Sequence, residues 1–156
     1  MVMEETERPY APFVGTLMRI CWQWVRDEIY AGLVASGYDN LNRAHVAVFR
    51  YPTPDGMRPS QLAERLQITK QSVNDLLRDL EDMGYLTREA ESSDKRARIV
   101  RLTPAGQQLE QAHRRELRMA EERIAKTIGE ERFAELRRTM EELAAALAGL
   151  EVSTFE

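Results

Sequence analysis

Along the first part of the chain, apolar residues recur at three- and four-residue steps: Val14, Leu17, Met18, Cys21, Val25, Ile29 and Leu33. That spacing draws one stripe on a long amphipathic helix. Ser36, Gly37 and Asp39–Asn40 end it. A second helix is expected from Asn42 to Arg50, with Val46 and Phe49 turned inward. The run Tyr51-Pro52-Thr53-Pro54-Asp55-Gly56 then marks a turn, because proline presets φ and glycine supplies positive φ. Pro59 to Leu66 predicts a short helix, proline being tolerated in a first turn, with Leu62, Ala63 and Leu66 on one side. Thr69 is placed to cap the next helix, which carries Val73, Leu76, Leu77, Leu80 and Met83 and stops before Gly84.

The period then changes. Tyr85 to Arg88 and Arg98 to Leu102 are β-prone runs around the polar Ser92-Ser93-Asp94-Lys95, which reads as a hairpin with Ile99 and Leu102 left to pack. Thr103-Pro104 reads as a cap followed by proline at the first helical position. A long helix to Ile128 follows, with Leu109, Ala112, Leu117, Ala120, Ile124 and Ile128 on its apolar side. Beyond Gly129, the series Phe133, Leu136, Met140, Leu143, Leu147 and Leu150 forms a narrow heptad-like seam suited to another helix. In a lone chain that seam would stay poorly covered, which points to self-association. Residues 151–156 read as a frayed tail. The fold class is therefore mainly α with a small β-hairpin wing: a winged helix-turn-helix flanked by N- and C-terminal helices.

In such an arrangement the second helix of the pair offers its polar face to the major groove. Here that face holds Lys70, Gln71, Asn74, Asp75 and Arg78, with Ser72 beside them. Glutamine and asparagine suit adenine edges, and arginine and lysine suit guanine. Asp75 fits less well, since a carboxylate repels phosphate. Lys95, Arg96, Arg98 and Arg101 put cations on the hairpin, within reach of backbone or minor groove. Ser60 and Thr69, at the starts of the two helices, complete the candidate DNA-contact set.

Charge complicates this picture. The chain of 156 residues has a net charge of −4, mildly unfavourable for a polyanion ligand. Residues 58–103, however, hold nine Lys/Arg against eight Asp/Glu, a balance of +1 that leaves −5 on the rest. The acidity lies mostly outside the candidate interface. A winged helix that docks a protein rather than DNA stays open as an alternative.

Gln61-Leu62-Ala63-Glu64, Ile68-Thr69, Leu80-Glu81, Gly84-Tyr85-Leu86-Thr87-Arg88, Asp94-Lys95-Arg96 and Leu102-Thr103-Pro104-Ala105-Gly106, in this order, resemble the MarR family of multiple-antibiotic-resistance regulators. The motifs cover about 58–106. The resemblance implies a homodimer on double-stranded DNA, commonly a repressor of a pseudo-palindromic operator, released in some members by a small-molecule effector. It implies one domain over 1–156, with a DNA-binding lobe over 37–104 and dimerisation helices over 9–36 and 105–150. It also implies that Asp94 pairs with an arginine to brace the wing and that Arg96 enters the minor groove.

Further residues carry candidate chemistry. Trp22, His45 and Phe49 are candidates to line an effector pocket near the first helix. Cys21 invites a redox-sensing alternative, yet its place on the apolar stripe reads as core packing. His113 lies among charged neighbours and reads as solvated. Catalytic constellations are absent: there is no glycine-rich phosphate loop, HExxH, CxxC or GxSxG, and two histidines with one cysteine make no convincing zinc site. The chain is expected to be a non-enzyme without cofactor or metal. No apolar run approaches the roughly 18 residues of a membrane span. Met1 to Arg8 lack a secretory apolar core, and the single cysteine fits a reducing compartment, so a cytoplasmic location is expected.

Overall fold

The computed structural model describes residues 12–50, 53–93 and 96–148. Tyr51, Pro52, Asp94, Lys95, Leu150 and the tail 151–156 lie outside the described residues. The element order is α1 (Val14–Ala35), α2 (Arg43–Val48), α3 (Pro59–Leu66), α4 (Lys70–Asp82), β1 (Leu86–Ala90), β2 (Arg98–Leu102), α5 (Pro104–Ile128) and α6 (Glu130–Ala148). The chain divides into two compact units after Glu116, within α5.

Local chemistry accounts for the boundaries in the first unit. Asn42 Oδ1 accepts from the Ala44 and His45 N–H groups, and His45 Nδ1 accepts from Asn42 N–H, so α2 starts on a reciprocal cap. The helix is shorter than expected and leaves Arg50 beyond its end. Gln67 ends α3 in the left-handed region at φ 54. This lets the chain turn sharply into Thr69, whose Oγ1 accepts from Ser72 N–H at 3.1 Å to start α4. Gly84 at φ 79 stops α4, as its missing Cβ allows.

The antiparallel hairpin pairs Leu86 with Leu102, Arg88 with Val100 and Ala90 with Arg98. Tyr85 stays outside the strand, and β1 runs two residues beyond the Arg88 end read from the pattern. Alternation also fails in β2, where Ile99 and Val100 are both buried. On its other edge, Gly56 N–H donates to Val100 O and Val100 N–H to Met57 O, so the turn segment before α3 covers β2. Thr103 Oγ1 accepts from Gly106 N–H and donates to Gly84 O at 2.6 Å, tying the hairpin's exit to the end of α4. Leu33, Val48, Leu62, Val73, Leu77, Leu80, Leu86, Val100 and Leu109 form the core that holds these pieces together.

In the second unit, Gly129 at φ 93 separates α5 from α6, and Arg137 approaches Glu121 at 3.5 Å. Of the α6 seam, Leu136, Met140 and Leu147 are exposed, and Phe133 and Leu143 are half-buried. The stripe on α1 is covered only toward its end. Ile29 and Leu33 are buried, whereas Phe13 is 87% exposed and Val14, Leu17 and Ile20 are also exposed. Cys21 is exposed with that open half, contrary to core packing.

Candidate nucleic-acid interface and ligand cleft

Helix α4 sinks Val73, Leu77 and Leu80 into the core and leaves its opposite face to solvent. Lys70, Gln71, Ser72 and Arg78 are exposed there, as is Thr69 at the cap. Ser72 and Thr69 share a hydroxyl–hydroxyl hydrogen bond at 2.8 Å, and Arg78 meets Asp75 at 3.2 Å, both near solvent. Ser60 is exposed at the start of α3, and Arg96 and Arg98 are exposed on the wing. Lys95 and the bracing residue Asp94 lie outside the described residues.

Asn74 differs from its neighbours. It is half-buried, donating from Nδ2 to Lys70 O at 2.9 Å and accepting at Oδ1 from Arg88 at 3.3 Å. Arg101 is not a tip cation either, since it lies between Asp55 at 3.6 Å and Glu89 at 3.8 Å.

These pairs explain how an almost neutral lobe presents a cationic surface. Arg58 meets Glu91 at 2.6 Å, Arg88 meets Glu81 at 2.6 Å, and Arg101 meets Asp55 and Glu89. The lobe's carboxylates are thus largely matched at the base of the wing and behind α4. Lys70 and Arg98 are exposed to solvent, where local potential rather than net charge governs attraction of a polyanion.

A second feature lies between α1, α2 and the start of α5. Trp22, Arg26, Ile29, Tyr30, Arg43, Val46, Ala47, Arg50 and His113 line a partly open cleft. Of the three residues anticipated here, Trp22 lines it. His45 on α2 and Phe49 at its C-terminal cap are buried but are not among the lining residues. Arg50 stacks on Trp22 with its guanidinium carbon 5.1 Å from the ring centroid, and Arg43 lies 4.8 Å over Tyr30 while pairing with Asp27.

Among the described residues, no carboxylate lines this cleft. Burial lowers the Arg50 pKa from its usual range, and the nearby Arg26 charge lowers it further. His113 is 5% exposed and therefore buried rather than solvated. Its pKa is pushed down to about 4, first by burial and then by the Arg50 charge; Glu110 opposes the shift and Arg114 adds to it. The imidazole is neutral at pH 7. Apolar walls, two aromatic rings and crowded guanidinium groups make a site complementary to an aromatic anion.

Sequence reasoning missed Arg26, Arg43, Arg50 and His113. His113 had a signal: with Leu109, Ala112, Glu116 and Ala120 it follows the buried phase of α5.

His45 connects α2 to α4. Because its Nδ1 accepts from Asn42 N–H, the neutral ring carries its proton on Nε2, which donates to Asp79 Oδ2 at 3.2 Å.

Two helices in tandem, an exposed polar second helix and a hairpin packed beside it define a winged helix-turn-helix protein. The MarR family model matches residues 40–97, the segment from α2 through β1 and up to the start of β2. Over that segment, 58 of its 156 residues, the chain is similar to the MarR family. A MarR-family protein of Mycobacterium tuberculosis, solved in complex with salicylic acid, is similar at 28% identity and a TM-score of 0.67, over 86% of this chain and 98% of that one. The same organism's MarR-family protein solved in complex with DNA gives 26% identity and a TM-score of 0.65, again over 86% and 98%. The crystal structure of MarR shares the fold at a TM-score of 0.71 and 23% identity, over 87% of this chain and 98% of that one. No curated protein matches the sequence. Among the described residues no helix is long and apolar enough to cross a membrane.

Proposed function

We propose that this chain is a homodimeric DNA-binding regulator that represses from a pseudo-palindromic operator and releases it when an aromatic anion fills the cleft. The observation that carries the reading is the exposed polar face of α4 beside the outward cations of the wing. Lys70, Gln71, Ser72 and Arg78 enter the major groove. Ser60, Thr69 and the wing residues Lys95, Arg96 and Arg98 meet the phosphate backbone or minor groove. The lobe 37–104 does the binding, and the helices in 9–36 and 105–150 join two copies. The open apolar half of α1 and the exposed α6 seam support that assignment.

Release follows from the double role of α2. Arg43, Val46 and Ala47 of α2 and the adjoining Arg50 line the cleft, while His45 of the same helix holds Asp79 on α4. An anion that draws the arginines together favours one placement of α2 and thereby one placement of α4, shifting the population that fits successive major grooves. The salicylic acid and DNA complexes of the M. tuberculosis relative support both halves of this reading.

The test is a gel shift with DNA from upstream of the protein's own gene against a random duplex, with and without salicylate, for wild type and Lys70→Ala/Arg96→Ala. Salt-sensitive binding to the upstream duplex, lost in the variant and weakened by salicylate, is expected. Equal affinity for both duplexes would refute it.

A further inference from the structure

Asparagine at an exposed-face position of a recognition helix is chemically suited to adenine: its Oδ1 accepts from N6 and its Nδ2 donates to N7. In Asn74 both atoms are already engaged. Nδ2 faces the Lys70 carbonyl at 2.9 Å, and a carbonyl can only accept. Oδ1 faces the Arg88 guanidinium at 3.3 Å, and a guanidinium can only donate. The partners therefore fix the amide's orientation.

Arg88 does more than hold Asn74. Its Nε donates to Glu81 Oε2 at 2.8 Å, and its second terminal nitrogen reaches the same oxygen at 2.6 Å. Asn74 and Glu81 lie seven residues apart, which is two turns along one side of α4. A single arginine from β1 thus spans two turns of the helix with a planar, preorganised fork. Both ends of the ion pair are about three-quarters buried, at 27% and 26% side-chain exposure, so water competes weakly for it.

We infer that Asn74 and Arg88 are positioning residues that fasten the wing to α4 at a set angle, and that base reading falls to Lys70 and Gln71 instead. This rests on the DNA-binding reading above. The consequence is specific: Asn74 governs how well the whole lobe fits the duplex, not which base pair is preferred at one position. Releasing Asn74 for adenine would break two bonds within the protein and detach the wing's grip on the first turns of α4.

The experiment compares wild type, Asn74→Ala, Arg88→Lys, their double variant and Gln71→Ala. Lysine at 88 keeps a cation for Glu81 but cannot also hold Asn74, so the fold is retained. Urea unfolding is measured without DNA. Binding is measured to the upstream duplex and to its single-base-pair variants. Expected are overlapping losses in unfolding midpoint, the double variant being no less stable than the weaker single one. Asn74→Ala weakens binding to all duplexes by a similar factor, with base preference changed by less than about twofold, whereas Gln71→Ala flattens one position by about fivefold or more. Additive unfolding losses, or a flattening of about fivefold or more at one base pair in Asn74→Ala, overturn the inference. If wild type fails to distinguish the upstream duplex from a random one, the regulator reading falls, and the unfolding comparison alone still decides whether the two side chains act as a unit.

Discussion

His113 makes the stability of the protein depend on pH in a window set by its burial. Its native pKa is about 4 against an ordinary value of 6.5. Between those values the unfolded chain binds a proton that the native imidazole refuses. The depressed value belongs to a base, so unfolding is favoured as pH falls from about 6.5 toward about 4, and the full neutral-ring stability is present above about 6.5. From about pH 7.5 to about pH 5, the unfolded ring becomes almost fully charged and the native ring stays mostly neutral. The linkage integral over that interval is about 2 kcal/mol per chain, and the complete shift corresponds to about 3 kcal/mol. His113→Gln removes this proton uptake and leaves every other titrating group in place. Urea unfolding of both proteins, followed by circular dichroism at both pH values and one fixed concentration, isolates the contribution as a difference of differences. Wild type should lose about 2 kcal/mol more than the variant on acidification. Equal losses would refute the buried, neutral imidazole. An aromatic anion against Arg50 and His113 would offset the charges that depress the ring, so salicylate should shrink the wild-type loss and leave the variant's unchanged.

Other consequences follow from packing and from the cleft. Leu77 is fully buried behind the recognition face, so Leu77→Ala should cost about 3 kcal/mol of unfolding free energy and weaken DNA binding through a slackened α4. Gly106→Ala would place a Cβ 1.8 Å from Tyr85 O, a backbone atom that cannot swing away, and a lower thermal midpoint is the expected result. Arg50→Met keeps the aliphatic stem but removes the charge over Trp22, so the change in Trp fluorescence on adding salicylate should disappear at concentrations that saturate wild type. Leu136→Glu/Met140→Glu charges the exposed α6 seam; light scattering should then report a monomer, against the dimer proposed for wild type.

Much of the fold is legible because its signals are local. The three-to-four period, Thr69 and Thr103 as caps, Pro59 and Pro104 in first turns, and Gly84 beyond α4 each act through neighbours within a few residues. The errors arise where the deciding neighbour comes from elsewhere. β2 breaks alternation because the segment around Gly56 and Met57 covers its other edge, more than forty residues earlier in the chain. Asn74 too is held by a distant neighbour, Arg88 from β1, which its own segment does not reveal.

The cleft shows the same limit from the side of charge. In the sequence Arg26 lies on the first helix, well apart from Arg43 and Arg50 at the two ends of the second. Only the packing of α1 against α2 and the start of α5 gathers them with Trp22, Tyr30 and His113. Surface arginines normally find carboxylates, and the chain has acids in excess, 26 against 22 bases. Arg43 does so here, through Asp27, while burial and Arg26 act against the Arg50 charge. A chain that is acidic overall yet gathers three arginines in one partly open cleft creates a local positive potential there, which an anion from solution would suit.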